Sequence, residues 1–401
     1  MSGSSSATHR ARLARGGLLV ALLALTAWGA YASGGLGGLP PAQARPAPET
    51  TAAARVAPRV EVAFVLDTTG SMSGLIEGAK RKVWSIANQL ASGQPTPEVR
   101  MALVAYRDRG DEYVTRVREL TDDIDAVYAD LQGYAAGGGG DTPESVNQAL
   151  HEAVTRLAWS EDGDVYRVIF LVGDAPPHTD YPDDVGYAHS VRLARQRGIV
   201  VNTVQCGDYA ETTPIWQEIA SAGGGHFAAI RQDGGMLALT TPMDDELARL
   251  NRELADTLVP YGGESERAEL EAKRDRAASA PPSTVASRLG FLSKLGGKLN
   301  AGRADLVDAI AGGITSLDDV ALAELPAELQ AMAPAQRETF VEEKAETRQR
   351  VQAEIDALSR DRDAFIAEES ARRTAAGEGD GFDAKVLESV REQASAAGIT
   401  Y

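Results

Sequence analysis

The sequence predicts an α/β protein: a doubly wound, mainly parallel sheet, followed by a smaller all-α C-terminal region with one long helix. Three observations carry this. Val62–Leu66, Met101–Tyr106 and Val168–Val172 are apolar runs, the pattern of strands buried on both faces, and Ile199–Val204 reads as a further strand. Between them, apolar residues recur at helical spacing. After about Leu258 the strand signals vanish, and Ala, Glu, Arg and Leu dominate. Alternation of this kind builds right-handed βαβ crossovers, with helices on both faces of one sheet.

The chain opens with Arg10, Arg12 and Arg15 ahead of an apolar run from Gly16 to Ala32. This is the pattern of a secretory signal over residues 1–32. Ala30-Tyr31-Ala32 offers one cleavage site and Ala42-Gln43-Ala44 a later one. The run is short for a membrane span, which takes about 20 residues, so an uncleaved anchor is the lesser reading. No cysteine lies directly behind it, which excludes lipoprotein attachment. The expected location is the periplasm, the cell envelope or the exterior. Residues 33–58 are rich in Gly, Pro and Ala and read as a linker.

Residues 59–258 hold the sheet. Leu75, Ile76, Ala79, Val83, Ile86, Ala87 and Leu90 mark the first helix, which Ser73 could cap. Tyr113–Leu120 alternates more than the other strands, as an edge or antiparallel strand does. Ile124–Leu131 is a short helix. A glycine run, Gly137–Gly140, precedes a helix on Val146, Ala149, Leu150, Ala153, Val154 and Leu157, with Pro143 suited to its first position. Val191, Leu193 and Ala194 mark the next helix, Ile215–Ala222 another, and His226–Ile230 the last strand.

Residues 259–401 form the helical region. Short helices are expected over Glu266–Ala278, Ser287–Leu295 and Ala304–Ile310, a long one over Pro334–Arg373 and a final one over Phe382–Ala397. In the long helix, Val351, Ile355 and Leu358 form a spaced stripe that needs a partner, either the preceding helices or another chain in a coiled coil. The charges around it, Arg348 and Arg350 included, read as a solvated face. A boundary at Leu258 predicts that the sheet domain folds without residues 259–401.

The net charge of −18 makes nucleic acid and anionic lipid poor partners, because phosphates are repelled. Cys206, the one cysteine, cannot form an intrachain disulfide and reads as inert burial. Four histidines lie beyond the N-terminal segment, with no HExxH or paired Cys/His spacing, so zinc is not expected. Tyr106, Arg107, Asp108 and His178 read as ordinary strand-end or loop surface.

The chemistry-bearing pieces are Asp67-Thr68-Thr69-Gly70-Ser71, Asp141-Thr142 and Asp174. Each follows a predicted parallel strand or precedes a helix, where open α/β sheets bind ligands. Hard oxygen donors around an acid suit Mg²⁺ or a similar cation. The forms DTTGSMS, GGGGDTPE and GDAPPH resemble a von Willebrand factor type A domain, most of all its hemicentin-type and bacterial exported branch. The resemblance covers roughly residues 60–245. It implies a Rossmann-like sheet with a metal-ion-dependent adhesion site. By the same resemblance Asp67, Thr69 and Ser71 match the family's DxSxS, Thr142 its loop threonine and Asp174 its distal aspartate. Thr69 stands where serine is commoner, and the hydroxyl is preserved. Asp141 reads as a helix cap.

Two acids and three hydroxyls leave Mg²⁺ (or Mn²⁺ or Ca²⁺) underneutralised, with a coordination position open to a partner's carboxylate. The expectation is therefore a non-enzymatic adhesion-type module. Its partner is a protein offering an Asp or Glu. The membrane is reached only through an uncleaved anchor, and the C-terminal helices offer a route to self-association. The alternative is a Mg²⁺-dependent phosphohydrolase of haloacid-dehalogenase type with Asp67 as nucleophile. Against it, no lysine occurs between Lys82 and Lys273, and Asp174 is followed by Ala-Pro-Pro rather than a second acid.

Overall fold

The computed structural model of the chain describes residues 57–140, 142–162, 164–230, 240–279, 281–295, 304–376 and 381–401. The expected signal segment, its cleavage sites, most of the linker and the proposed cap Asp141 lie outside these residues. Among the described residues, no helix is long and apolar enough to cross a membrane.

β1 (Arg59–Asp67) lies inside a six-stranded sheet, between β2 (Glu98–Tyr106) and β4 (Val165–Gly173). β3 (Thr115–Thr121) is the edge beyond β2, and β5 (Ile199–Cys206) and β6 (Gly224–Ile230) follow β4 on the other side. All neighbours are parallel except β2 and β3, as the alternation in β3 predicts. The chain winds outward from β1 in one direction, then from β4 in the other. The switch point lies between β1 and β4, and ligands of open α/β sheets bind at the carboxyl ends of such a pair.

The apolar run of β1 serves two cores because its side chains alternate. Val62, Phe64 and Leu66 pack toward α1 (Ile76–Ala91) and α2 (Ile124–Gly133). Ala63 and Val65 face the opposite layer, built by α3 (Val146–Thr155), α4 (Tyr187–Gln196) and α5 (Thr212–Ala222). Two helix starts differ from expectation. A 3-10 turn, Gly70–Gly74, intervenes after β1, so α1 begins at Ile76 and Ser73 sits inside the turn, capping nothing. Pro143 does not open α3, because Glu144 is held in a bridge with Pro177 and the helix starts only at Val146.

The helical region lies against the sheet domain. It comprises α6 (Asp244–Ala255), α7 (Glu264–Ser279), α8 (Pro282–Lys294), α9 (Leu306–Ala311), α10 (Ala327–Gln330), α11 (Pro334–Ala375) and α12 (Gly381–Ala394). The stripe of α11 finds its partner within the chain: Val351 and Ile355 are buried with Leu247, Leu250 and Leu254 of α6 and Val285 and Leu289 of α8. Phe291 and Leu292 of α8, with Val390, Ala394 and Ile399, belong to the same apolar cluster as Phe64 and Leu66. Phe291 meets Trp84 of α1 edge-on at 6.0 Å between ring centroids. At the end of the chain, Thr400 bridges Gln94, and the Tyr401 hydroxyl donates to the Leu90 carbonyl at 3.0 Å. The boundary at Leu258 separates these helices from the sheet in sequence, not in space.

Arg348 corrects the reading of the long helix as solvated around its stripe. Its guanidinium bonds Asp305 and Asp308, and donates to the Thr257 hydroxyl at 2.9 Å and the Thr257 carbonyl at 2.7 Å. Asp305 is wholly buried and caps α9. Arg348→Ala leaves that carboxylate buried without its cation. The expected cost is about 3–5 kcal/mol in chemical denaturation, whereas Arg350→Ala, at an exposed pair, should cost under about 1 kcal/mol.

Candidate metal centre

Three loops meet over the switch point, and backbone contacts hold them together. Beyond Asp67, Thr68 N–H donates to the Tyr106 carbonyl at 2.9 Å, tying the first loop to β2. Gly137 N–H reaches the Thr68 carbonyl at 3.0 Å, and Gly70 N–H the Gly138 carbonyl at 3.1 Å. A Cβ on Gly70 would lie 2.7 Å from that carbonyl. Gly138 and Gly139 have φ of 77° and 76°, a region that favours glycine. The glycine run is thus what lets the third loop, the one leading from α2 to α3, lie on the first. Glu144 N–H then bonds the Pro176 carbonyl at 2.9 Å, and His178 N–H the Glu144 carbonyl at 3.1 Å, joining the third loop to the one after β4.

Four of the five expected ligands form one hydrogen-bonded chain. Thr69 donates to Asp67 Oδ1 through its N–H at 2.8 Å and its hydroxyl at 2.6 Å. The Thr69 and Ser71 hydroxyl oxygens are 3.1 Å apart, and the Ser71 hydroxyl donates to Asp174 Oδ1 at 3.0 Å. The Thr212 hydroxyl fixes the Asp174 carbonyl at 2.8 Å. Asp67 and Thr69 are wholly buried, Asp174 half-buried and Ser71 exposed. Thr142 stands in the third loop, between the glycines that touch Gly70 and the Glu144 bridge. It is exposed and joins no hydrogen bond among the described residues.

Burial drives the electrostatics. It raises the Asp67 carboxyl to about 7, with the charge of Asp174 adding to the rise. Burial also raises Asp174. Glu144 is pushed up to about 9, first by burial and then by the charge of Asp67. Asp67 Oδ2 and Glu144 Oε2 are buried without a hydrogen-bond partner. Crowded, desolvated carboxyl oxygens rimmed by hydroxyls are a donor set for a hard divalent ion. Among the described residues, no group of three or more His, Cys, Asp or Glu could hold a metal. Hydroxyls must therefore complete any site here, and Glu144 borders it without forming a three-acid cluster.

Several neighbours escaped the sequence reading. Glu144 lies two positions beyond Thr142, and the sequence reading gave it no role. Asp108 and His178 are buried rather than surface, because each is the other's partner. His178 Nε2 lies 3.2 Å from Asp108 Oδ2, and Asp108 also accepts from the Ser145 hydroxyl at 2.9 Å and from the Tyr181 hydroxyl. His178 Nδ1 meets Asp180 at 2.7 Å, and its ring stacks on Tyr181 at 4.1 Å. Tyr106 is wholly buried, and Arg107 donates to the Thr68 and Ala135 carbonyls at 3.1 and 3.0 Å, bracing the first loop. Cys206 is buried and free, as expected, with burial pushing its thiol up.

Residues 61–232 match the family model of the von Willebrand factor A domain. This segment is a von Willebrand factor A domain. Relatives of the domain include von Willebrand factor A domain-containing protein 7 of Homo sapiens, 34% identical over 122 residues, and its Rattus norvegicus counterpart, 35% identical over 122 residues. Each match spans 30% of this chain and 12% of the relative's length. Among solved structures, the domain is similar to the SpRpn10 VWA domain at 16% identity, with a TM-score of 0.34 over 44% of this chain and 89% of that one. A superposition of that degree carries no further argument.

Proposed function

We propose that the domain is an exported, metal-dependent protein-binding module. Domains of this family typically serve protein interaction. The finer reading rests on one observation: the carboxyls of Asp67 and Asp174 are linked over the switch point by the hydroxyls of Thr69 and Ser71. Asp67, Thr69, Ser71, Thr142 and Asp174 would hold Mg²⁺, or Mn²⁺ or Ca²⁺ in its place. When bound, the ion supplies a positive centre for the carboxylate of a partner's Asp or Glu. Asp67 and Asp174 neutralise it only in part, and the hydroxyls orient without adding charge. The exposed Ser71 and Thr142 face the approaching partner, while the buried Asp67 anchors the base. The N-terminal Arg-rich and apolar segment supports export.

The phosphohydrolase reading gains nothing from this geometry. Asp67 is wholly buried and its Oδ1 accepts two bonds from Thr69, which is poor provision for a nucleophile.

Capture of a protein partner from envelope extract should require Mg²⁺ and fail in EDTA. Ser71→Ala and Thr142→Ala should weaken it about tenfold or more, on the scale of a lost metal contact, without lowering the melting temperature of the metal-free protein. Capture that ignores both EDTA and the substitutions would overturn the reading. Variants that unfold would make the ion structural.

A further inference from the structure

Tyr106 is the last residue of β2, and its register partner on β1 is Asp67. Its ring is packed in the apolar layer with Val65 and Leu150, and its hydroxyl is buried without a hydrogen-bond partner. Buried hydroxyls are nearly always paired, so each exception calls for a physical reason. Asp67 Oδ2 is orphaned in the same way. The two atoms flank one small space above Gly173, the last residue of β4. A Cβ on Gly173 would lie 2.4 Å from the hydroxyl and 3.0 Å from Oδ2. Glycine at that position keeps the space open.

We propose that Tyr106 is a positioning residue for the metal centre: its hydroxyl donates to Asp67 Oδ2, directly or through one water, and fixes the carboxylate for the ion. The proposal rests on the metal reading above. Asp67 Oδ1 already accepts two bonds from Thr69, so Oδ2 is the acceptor left over and the phenol a donor without an acceptor. A phenol suits the task, because it supports the anionic carboxylate without bringing a positive charge that would compete with the ion. The strand sets its height, and the packed ring sets its direction. Residues that orient a metal ligand from behind typically contribute about 10–100-fold in metal affinity.

The test is a titration of the full chain with Mn²⁺ followed by electron paramagnetic resonance, alongside melting temperatures of the metal-free proteins. Wild type is compared with Tyr106→Phe and with Tyr166→Phe. Tyr166 pairs with Val60 near the start of β1, and its buried hydroxyl bonds Gln393 at 2.6 Å. Tyr106→Phe should weaken Mn²⁺ binding about tenfold with no fall in the metal-free melting temperature, and Tyr166→Phe should leave Mn²⁺ affinity unchanged. Equal Mn²⁺ affinity in wild type and Tyr106→Phe would overturn the positioning role and leave the metal reading standing. An equal loss in Tyr166→Phe would show general loosening and also overturn it. Failure of wild type to bind Mn²⁺ would remove the metal reading and the proposal together.

Discussion

In EDTA, the protein should lose stability as the pH rises from about 4 to about 9, and Mg²⁺ should restore it. Asp67 moves from an ordinary 3.8 to about 7 on folding, and Glu144 from 4.5 to about 9. Both are raised, so the fold favours their neutral forms. That contribution is complete below the unfolded values and is lost as the pH climbs through the folded ones. For Asp67 alone, a displacement of this size amounts to on the order of 4 kcal/mol, a large share of a domain's total stability. A divalent ion held by the charged carboxylates of the folded state would reverse the loss. Asp67→Asn should therefore stabilise the metal-free protein at pH 8 and remove its response to Mg²⁺. Melting curves that are flat from pH 5 to 9 in EDTA, or indifferent to Mg²⁺ at pH 8, would contradict this.

Ending the chain at Leu258 should abolish cooperative folding of the sheet domain. The cut removes Phe291, Leu292, Val390 and Ile399 from the cluster around Phe64 and Trp84. Each such side chain contributes about 1.5–3 kcal/mol through burial, so together they rival the stability of a typical domain. The cut also strips hydrogen bonds from Leu90, Gln94, Tyr166 and Asn202. The fragment should expose apolar surface, bind a hydrophobic dye and melt without a sharp transition. A sharp transition near that of the full chain would show that the sheet closes its own core.

The strands were legible because burial on both faces writes an unbroken apolar run, as in Val62–Leu66 and Val168–Val172. The first loop of the candidate site was legible for a different reason: Asp67, Thr69 and Ser71 are neighbours in sequence, so their spacing is visible before any folding. Long-range pairing leaves no such local mark. Nothing near Asp108 announces His178, and nothing near Arg348 announces Asp305, so both looked like surface. Helical periodicity in α8 and α12 shows that a face is apolar, not which surface it covers. That is why their place on the sheet had to come from the structure. Thr142 is the intermediate case, since its loop meets the first one while its own side chain joins no hydrogen bond among the described residues.

Anomalous diffraction from crystals grown with Mn²⁺ will show whether three loops build one divalent-cation site. One peak per chain is expected, about 2.0–2.3 Å from its nearest oxygen ligands, among Asp67, Thr69, Ser71, Thr142 and Asp174. No peak there, or a peak that persists in an Asp67→Asn, Asp174→Asn double variant, would contradict it.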